Sequence, residues 1–300
     1  MKENLGVTVL IPLYGESKYL RQAIESVKIQ KFPSEWEIVI VYKNANSTID
    51  AHVGDTKITF IHQKSSGLPA ALNEGVHASK YPFVARLDCD DFMEPNRIER
   101  QMIEFQKRPN LVALGGQATI VDHSGLQIGS IKYPTGTKLM EWALKFSCPL
   151  AHPATTIKKT ALIKAGGYRS GFTHAEDHDL WTRLIFEGAI DNLKENVLFY
   201  RRHQNQLSTI NKMQIIRVSA DLIAVSNSRK PREIFNCSDP SEIEKRFPES
   251  SELYINFLDY LSSRNYRKLL IIIVLNRKIR FLFYKKILLR LYYAVLRNKF

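Results

Sequence analysis

The chain has 300 residues, 44% of them hydrophobic and 24% charged, and a formal net charge of +13. This excludes a disordered or low-complexity protein and allows one large domain, or one domain with an appendage, around a sizeable core. The charge is uneven: 11 of the 43 Lys and Arg fall from Arg264 onward, with no acid among them, leaving 32 basic against 30 acidic residues before that point.

In chain order, Val7 to Leu13 is a short apolar, β-branched run closed by Pro12 and Gly15, which predicts a buried strand. Ser17 offers a helix cap, and Leu20, Ala23, Ile24 and Val27 recur at helical spacing. Glu37 to Val41 and Ile58 to Ile61 read as further strands. Leu68 to Ala78 reads as a helix, and Tyr81 to Leu87 as a strand that runs into Asp88, Cys89, Asp90 and Asp91. A helix with Ile98, Met102 and Phe105 on one face follows Pro95, and then a strand from Leu111 to Leu114. Strands alternating with helices at this rhythm predict an α/β fold with a mainly parallel sheet covered on both faces.

The second half is less regular. Thr155 to Ile157 is a candidate strand, and Thr160 to Ala165 a short helix ended by Gly166 and Gly167. Glu176 to Glu187 reads as a helix stopped by Gly188, and Val197 to Tyr200 as a strand. Beyond Ser208 the alternation fades and helix dominates. The stretches Gly116 to Pro134 and Phe146 to His152 carry little pattern and read as loops.

Three segments could carry chemistry. Asp88, Cys89, Asp90 and Asp91 follow a buried strand, and open α/β sheets bind ligands at the carboxyl ends of their strands. Crowded carboxylates repel one another unless a cation or several donors compensate, and Mg²⁺ or Mn²⁺ takes oxygen ligands. The alternative is a solvated acidic turn, and the local sequence does not separate the two. Glu176 and Asp177 open a helix, where acids complement the helix dipole, and a general base there is the sharper reading. Tyr200, Arg201, Arg202 and His203 offer donors for a diphosphate, or form an exposed basic loop.

Taken in order, the segments resemble family-two glycosyltransferases of the GT-A fold, over about Val7 to Ser208. The resemblance rests on Val9 to Tyr14, Gly67 to Gly75, Arg86 to Asp91, His152-Pro153, Gly166 to Tyr168, Glu176 to Arg183 and Tyr200 to His203. It implies a Rossmann-like catalytic domain over 1–210 and a helical, basic region over 211–300. It also implies an inverting, metal-dependent, hexosyltransferase-type enzyme. Such an enzyme would move a sugar from a nucleotide-diphosphate donor, with UDP-sugar expected, to a glycan or lipid-linked acceptor in cell-surface polysaccharide or lipopolysaccharide assembly. Carried over by residue, Asp177 is the base with Glu176 beside it. Asp90 and His203 hold Mn²⁺ or Mg²⁺. Pro12, Tyr14, Glu16, Tyr42, Asn73, Arg86, Asp88 and Arg202 bind the donor.

One departure stands out. The family's acidic residue after the second strand is replaced here by Tyr42 and Lys43. Tyr42 could stack on a uracil, but the usual hydrogen bond to the base is lost, so a catalytically silent member stays open as an alternative. A sugar nucleotidyltransferase is a further alternative, against which Tyr14-Gly15-Glu16-Ser17 lacks a glycine-rich basic loop.

From Tyr266 on, basic pairs alternate with apolar and aromatic clusters, which predicts peripheral contact of 266–300 with an anionic membrane. The near-neutral body speaks against nucleic acid as a partner. Three widely spaced cysteines, Cys89, Cys148 and Cys237, point to a reducing compartment. Met1 to Ile11 shows no secretory signal, and the longest apolar run, Leu269 to Leu275, falls short of the roughly 20 residues of a spanning helix. The expected location is therefore cytoplasmic, at the inner face of the cell membrane.

Overall fold

The structure is a computed structural model, and it describes residues 5–50, 54–144, 147–172 and 174–203. The basic tail and the region 211–300 lie outside these residues, so the expectations placed on them do too.

The chain opens with β1 (Val7–Tyr14), α1 (Leu20–Lys28), β2 (Trp36–Lys43), α2 (Asn46–Asp50) and β3 (Ile58–His62). It continues with α3 (Leu68–Ala78), β4 (Phe83–Arg86), β5 (Phe92–Met93) and α4 (Arg97–Lys107). The second half has β6 (Leu111–Val121), β7 (Gln127–Ile131), α5 (Thr137–Ala143), β8 (Thr156–Lys158), α6 (Lys159–Lys164), α7 (Glu176–Leu184) and β9 (Ala189–Arg201). Among the described residues the strands form one sheet in the order β3-β2-β1-β4-β8-β6-β9-β5, with β7 on β6. The first four are mutually parallel. The sheet turns mixed from β8, which runs antiparallel to both β4 and β6.

β1 shows why the sheet is covered on both faces. Its side chains alternate, so Val7, Val9, Ile11 and Leu13 join one core with Leu20, Ile24 and Val27 of α1 and Ile98 and Met102 of α4. Leu10 joins the other core, with Val39, Val41, Leu72 and Val76, and with Leu180, Trp181 and Leu184 of α7. Gly75 lets α3 lie tight on the sheet: a Cβ there would sit 2.1 Å from Leu10 Cδ1 and 3.1 Å from Val41 Cγ2.

Several expectations need adjusting. Ser17 does not cap the first helix. Its Oγ accepts the Tyr19 N–H at 3.3 Å, and α1 begins at Leu20 without a side-chain cap. The helix at Glu176 ends at Leu184, and the chain tightens through Phe186 and Glu187 before Gly188. The stretch 116–134 is not a loop. β6 is buried along its whole length and turns at Asp122 to Gly125 into β7. Its glycines and polar residues hide the strand period, because Gln117 and Thr119 point into the protein and bond there.

Candidate active site

Because β1, β2, β3 and β4 run parallel, their carboxyl ends share one edge of the sheet. Leu87 N–H bonds to Leu10 O, which seats Asp88 beside the end of β1. Pro12 is half-buried there, and Tyr14 is 75% exposed at the rim. Tyr42 pairs in register with Leu13 and His62, and its ring meets His62 edge-on at 5.4 Å. Lys43 Nζ reaches Ser66 Oγ at 3.3 Å.

Asp88, Asp90 and Asp91 bring one carboxylate oxygen each within 4.8 Å of one another. Arg86, buried at the end of β4, forms an ion pair with Asp88. Burial pushes the Asp88 carboxyl up; Arg86 opposes this, and Asp90 and Asp177 add to it. Asp91 is fully buried, and burial beside Asp88 and Asp90 lifts its carboxyl well above the usual range. Its Oδ1 accepts the Arg201 N–H, while Oδ2 has no hydrogen-bond partner. Among the described residues, Arg86 is the one permanent cation paired with these three converging carboxyl groups. This oxygen-rich, charge-deficient pocket suits a hard divalent cation.

Two buried arginines build that pocket. Arg97 of α4 is fully buried, and burial lowers its pKa to about 9. It donates to the carbonyls of Arg86, Pro153 and Thr155 at 2.8 to 3.1 Å, fixing the end of β4 against the chain before β8. Gln101, one turn on, receives the Thr156 hydroxyl and donates to Leu114 and Ala154. Arg201, at the end of β9, donates from Nε to Asp90 O, from Nη1 to Asp122 O and His123 O, and from Nη2 to Gln22. Its guanidinium also stacks on Tyr19 at 4.3 Å. Neither role was visible from the sequence; the one hint for Arg97 is a charge next to Ile98 on an apolar stripe.

His203 Nε2 lies 2.8 Å from Asp90 Oδ2, so the two residues expected to share a metal do meet. Arg202, between them and Arg201, is exposed. Glu16 and Asn73 each bond backbone far along the chain. The Glu16 carboxylate accepts the N–H groups of Ser47 and Thr48 and the Thr48 hydroxyl, tying the turn after β1 to the start of α2, and the Thr48 hydroxyl above all holds its carboxyl low. Asn73 forms a closed pair with the backbone of Tyr168, Oδ1 to N at 2.8 Å and Nδ2 to O at 2.6 Å.

That pair leads to the second acidic group. Gly166 and Gly167 adopt positive φ, and Arg183 of α7 donates to the carbonyls of Ala165 and Gly167. Asp179, wholly buried, holds Arg183 and Arg169. The Tyr168 hydroxyl meets His152 Nε2 at 2.9 Å, and the His152 ring packs on Trp181. Burial drives the His152 pKa well below its usual value, so the ring is neutral at pH 7. This scaffold sets Glu176 and Asp177 at the start of α7. Glu176 is buried with Oε2 unpartnered; burial, then the charge of Asp177, raises its pKa to about 7. A helix whose Glu176, His178, Asp179 and Arg183 are all buried carries polar groups inside, where only pairing or function retains them.

Known proteins resemble the chain in sequence and in fold. The model of glycosyl transferase family 2 matches residues 8–166. An O-antigen biosynthesis glycosyltransferase, WbnJ of Escherichia coli, is 30% identical over 206 residues, covering 66% of this chain and 80% of that protein. The amylovoran biosynthesis glycosyltransferase AmsE of Erwinia amylovora is 29% identical over 189 residues, 60% of this chain and 70% of that one. Residues 1–349 of TarS from S. aureus superpose with a TM-score of 0.55 at 14% identity, over 86% of this chain and 73% of that one. The same protein crystallised with UDP-GlcNAc gives 0.55 over 81% and 73%. At that identity the likeness shows the fold alone, the GT-A fold. With the family matched over more than half its length, the chain belongs to glycosyl transferase family 2 and is a glycosyltransferase.

Proposed function

We propose that the chain transfers a sugar, with inversion, from a nucleotide-diphosphate donor to a hydroxyl of a glycan or lipid-linked acceptor during surface-polysaccharide assembly. One observation carries this reading. The carboxylates of Asp88, Asp90 and Asp91 converge at the end of β4, and Asp177 is near enough to raise the Asp88 carboxyl. Donor phosphates and an acceptor hydroxyl thus have separate acidic groups within one site. The relatives' names supply the polysaccharide context, and the TarS complexes with UDP and UDP-GlcNAc support a UDP-sugar.

Asp90 and His203 would hold a divalent cation, Mn²⁺ or Mg²⁺, which when bound supplies positive charge to the departing diphosphate. Asp88 would orient the ribose or the transferred sugar, kept in place by Arg86. Pro12, Tyr14 and Tyr42 would line the nucleotide pocket, with Arg202 free at its rim. Asp177 would accept the proton of the acceptor hydroxyl as it attacks the anomeric carbon from the face opposite the leaving diphosphate. Glu176, poised near neutrality, would share or relay that proton. The basic, aromatic segment 266–300 would rest on an anionic membrane at the cytoplasmic face, near a lipid-linked acceptor.

The test is calorimetric titration with UDP, GDP, CDP and TDP, with and without Mn²⁺. Binding of one of them only with metal supports the donor site and names its base. No binding across the panel removes the transferase reading in favour of a silent member, for which the Tyr42-Lys43 departure is the motive. Deleting 266–300 should release the protein from phosphatidylglycerol vesicles, and persistent binding would sink the membrane role.

A further inference from the structure

The carboxylate of Asp177 is met on both oxygens. Oδ1 accepts the N–H of His178 at 2.7 Å, a contact within its own helical turn. Oδ2 lies 3.6 Å from Sγ of Cys148, from a distant part of the chain, and Leu150 O lies at the same distance from that sulfur, so the one thiol proton is shared between the two acceptors. Sulfur is large and a weak donor, so its hydrogen bonds are long, and this separation suits S–H···O. The thiol remains protonated and able to donate, because burial, and then the charge of Asp177, pushes it well above its usual range.

Hydrogen bonds hold the chain on either side of the thiol. Asn192 Nδ2 donates to Pro149 O and Pro134 O, both at 2.9 Å, which pins the chain next to Cys148. Ser147 N–H bonds to Ala143 O at the end of α5. The Trp181 indole is wholly buried with no oxygen or nitrogen partner for its Nε1–H, and it faces the same sulfur. An indole and a carboxylate, one turn of α7 apart, thus both face the thiol.

We infer that Cys148 is a positioning residue for the transfer, its thiol holding Oδ2 of Asp177 in the orientation from which an acceptor hydroxyl is deprotonated. This rests on the proposal that Asp177 is the base. A carboxylate oxygen has two lone pairs. The thiol takes one on Oδ2 and leaves the other for the incoming proton. A carboxylate held only through Oδ1 would swing about its side-chain torsions, and small misplacement of a base is costly in rate.

Two measurements test this. The first reads the contact without turnover, as the infrared S–H stretch that disappears in Cys148→Ser. In Asp177→Ala that band should shift as the thiol exchanges a carboxylate for the Leu150 carbonyl as its sole acceptor, and an unmoved band would overturn the contact. The second reads Mn²⁺-dependent release of UDP from UDP-GlcNAc, with water as acceptor. Cys148→Ala should lower kcat roughly tenfold with KM unchanged. Cys148→Ser keeps a donor and should stay within about twofold of wild type. This separates a lost hydrogen bond from a damaged fold. A Cys148→Ala variant at the wild-type rate, while Asp177→Asn is inactive, overturns the positioning role alone. An Asp177→Asn variant at the wild-type rate instead overturns the base assignment, whatever the infrared band shows.

Discussion

The backbone N–H of Arg201 donates to Oδ1 of Asp91 at 2.8 Å, across 110 positions of sequence. Through it β9 grips the acidic turn after β4. The Arg201 side chain strengthens that grip by satisfying the carbonyls of Asp90, Asp122 and His123. Replacing Arg201 with Met leaves these groups without their donor in a buried place. Stability should fall by about 3 kcal/mol, read by urea unfolding. Mn²⁺ affinity should weaken with it, because the backbone at Asp90 loses its donor, while the bond from the residue 201 N–H to Asp91 stays.

Asp90→Ala removes the carboxylate that meets His203. Metal-dependent binding of UDP should vanish in calorimetry, while the thermal midpoint holds or rises, because one of three mutually repelling acids is gone. Retained Mn²⁺-dependent binding would place the metal elsewhere.

Glu176 yields a prediction about pH. Its carboxyl titrates near 4.5 in an unfolded chain and is raised to about 7 in the fold, chiefly by burial. The folded state then binds the proton more tightly, so this group's contribution is fully present below about 4.5 and is lost as pH rises through about 7. Denaturant unfolding between pH 5 and 8 should show wild type losing stability over that window. Glu176→Gln should flatten the slope, and an identical slope in both proteins would refute the assignment.

Gly167 tests the scaffold of the second acidic group. It has φ of +66°, and a Cβ there would sit 2.7 Å from Asn73 Oδ1. Gly167→Ala should cost about 1 to 3 kcal/mol in thermal unfolding, from the left-handed backbone and from displacing the Asn73–Tyr168 pair. The loss should shrink in an Asn73→Ala background, where the clash is relieved.

Much of the frame was legible beforehand. β1, β2, α3 and α4 follow from apolar periodicity, because a buried strand or an amphipathic stripe writes its own spacing into the chain. The acids at Asp88 to Asp91 and at Glu176-Asp177 were legible for a similar reason: local clusters of charge next to strand and helix ends are visible as spacing. β5, β7 and α5 were not, since a two-residue strand, an exposed edge hairpin and a seven-residue helix leave too few periods to detect. Glu16 and Asn73 bond partners 31 and 95 residues away, which no local pattern announces.

By itself, then, the sequence determined the parallel α/β beginning, the acidic clusters and their order, because these depend on neighbours within a turn or two. Only the tertiary structure decided which charges are buried, which are paired, and which face one another. Arg97 and Arg201 hold the acidic turn, Asn73 and Arg183 hold the turn at Tyr168, and Cys148 reaches Asp177. The reason is physical: a buried polar group must find a partner wherever the fold brings one, and that requirement acts in space, without regard to distance along the chain.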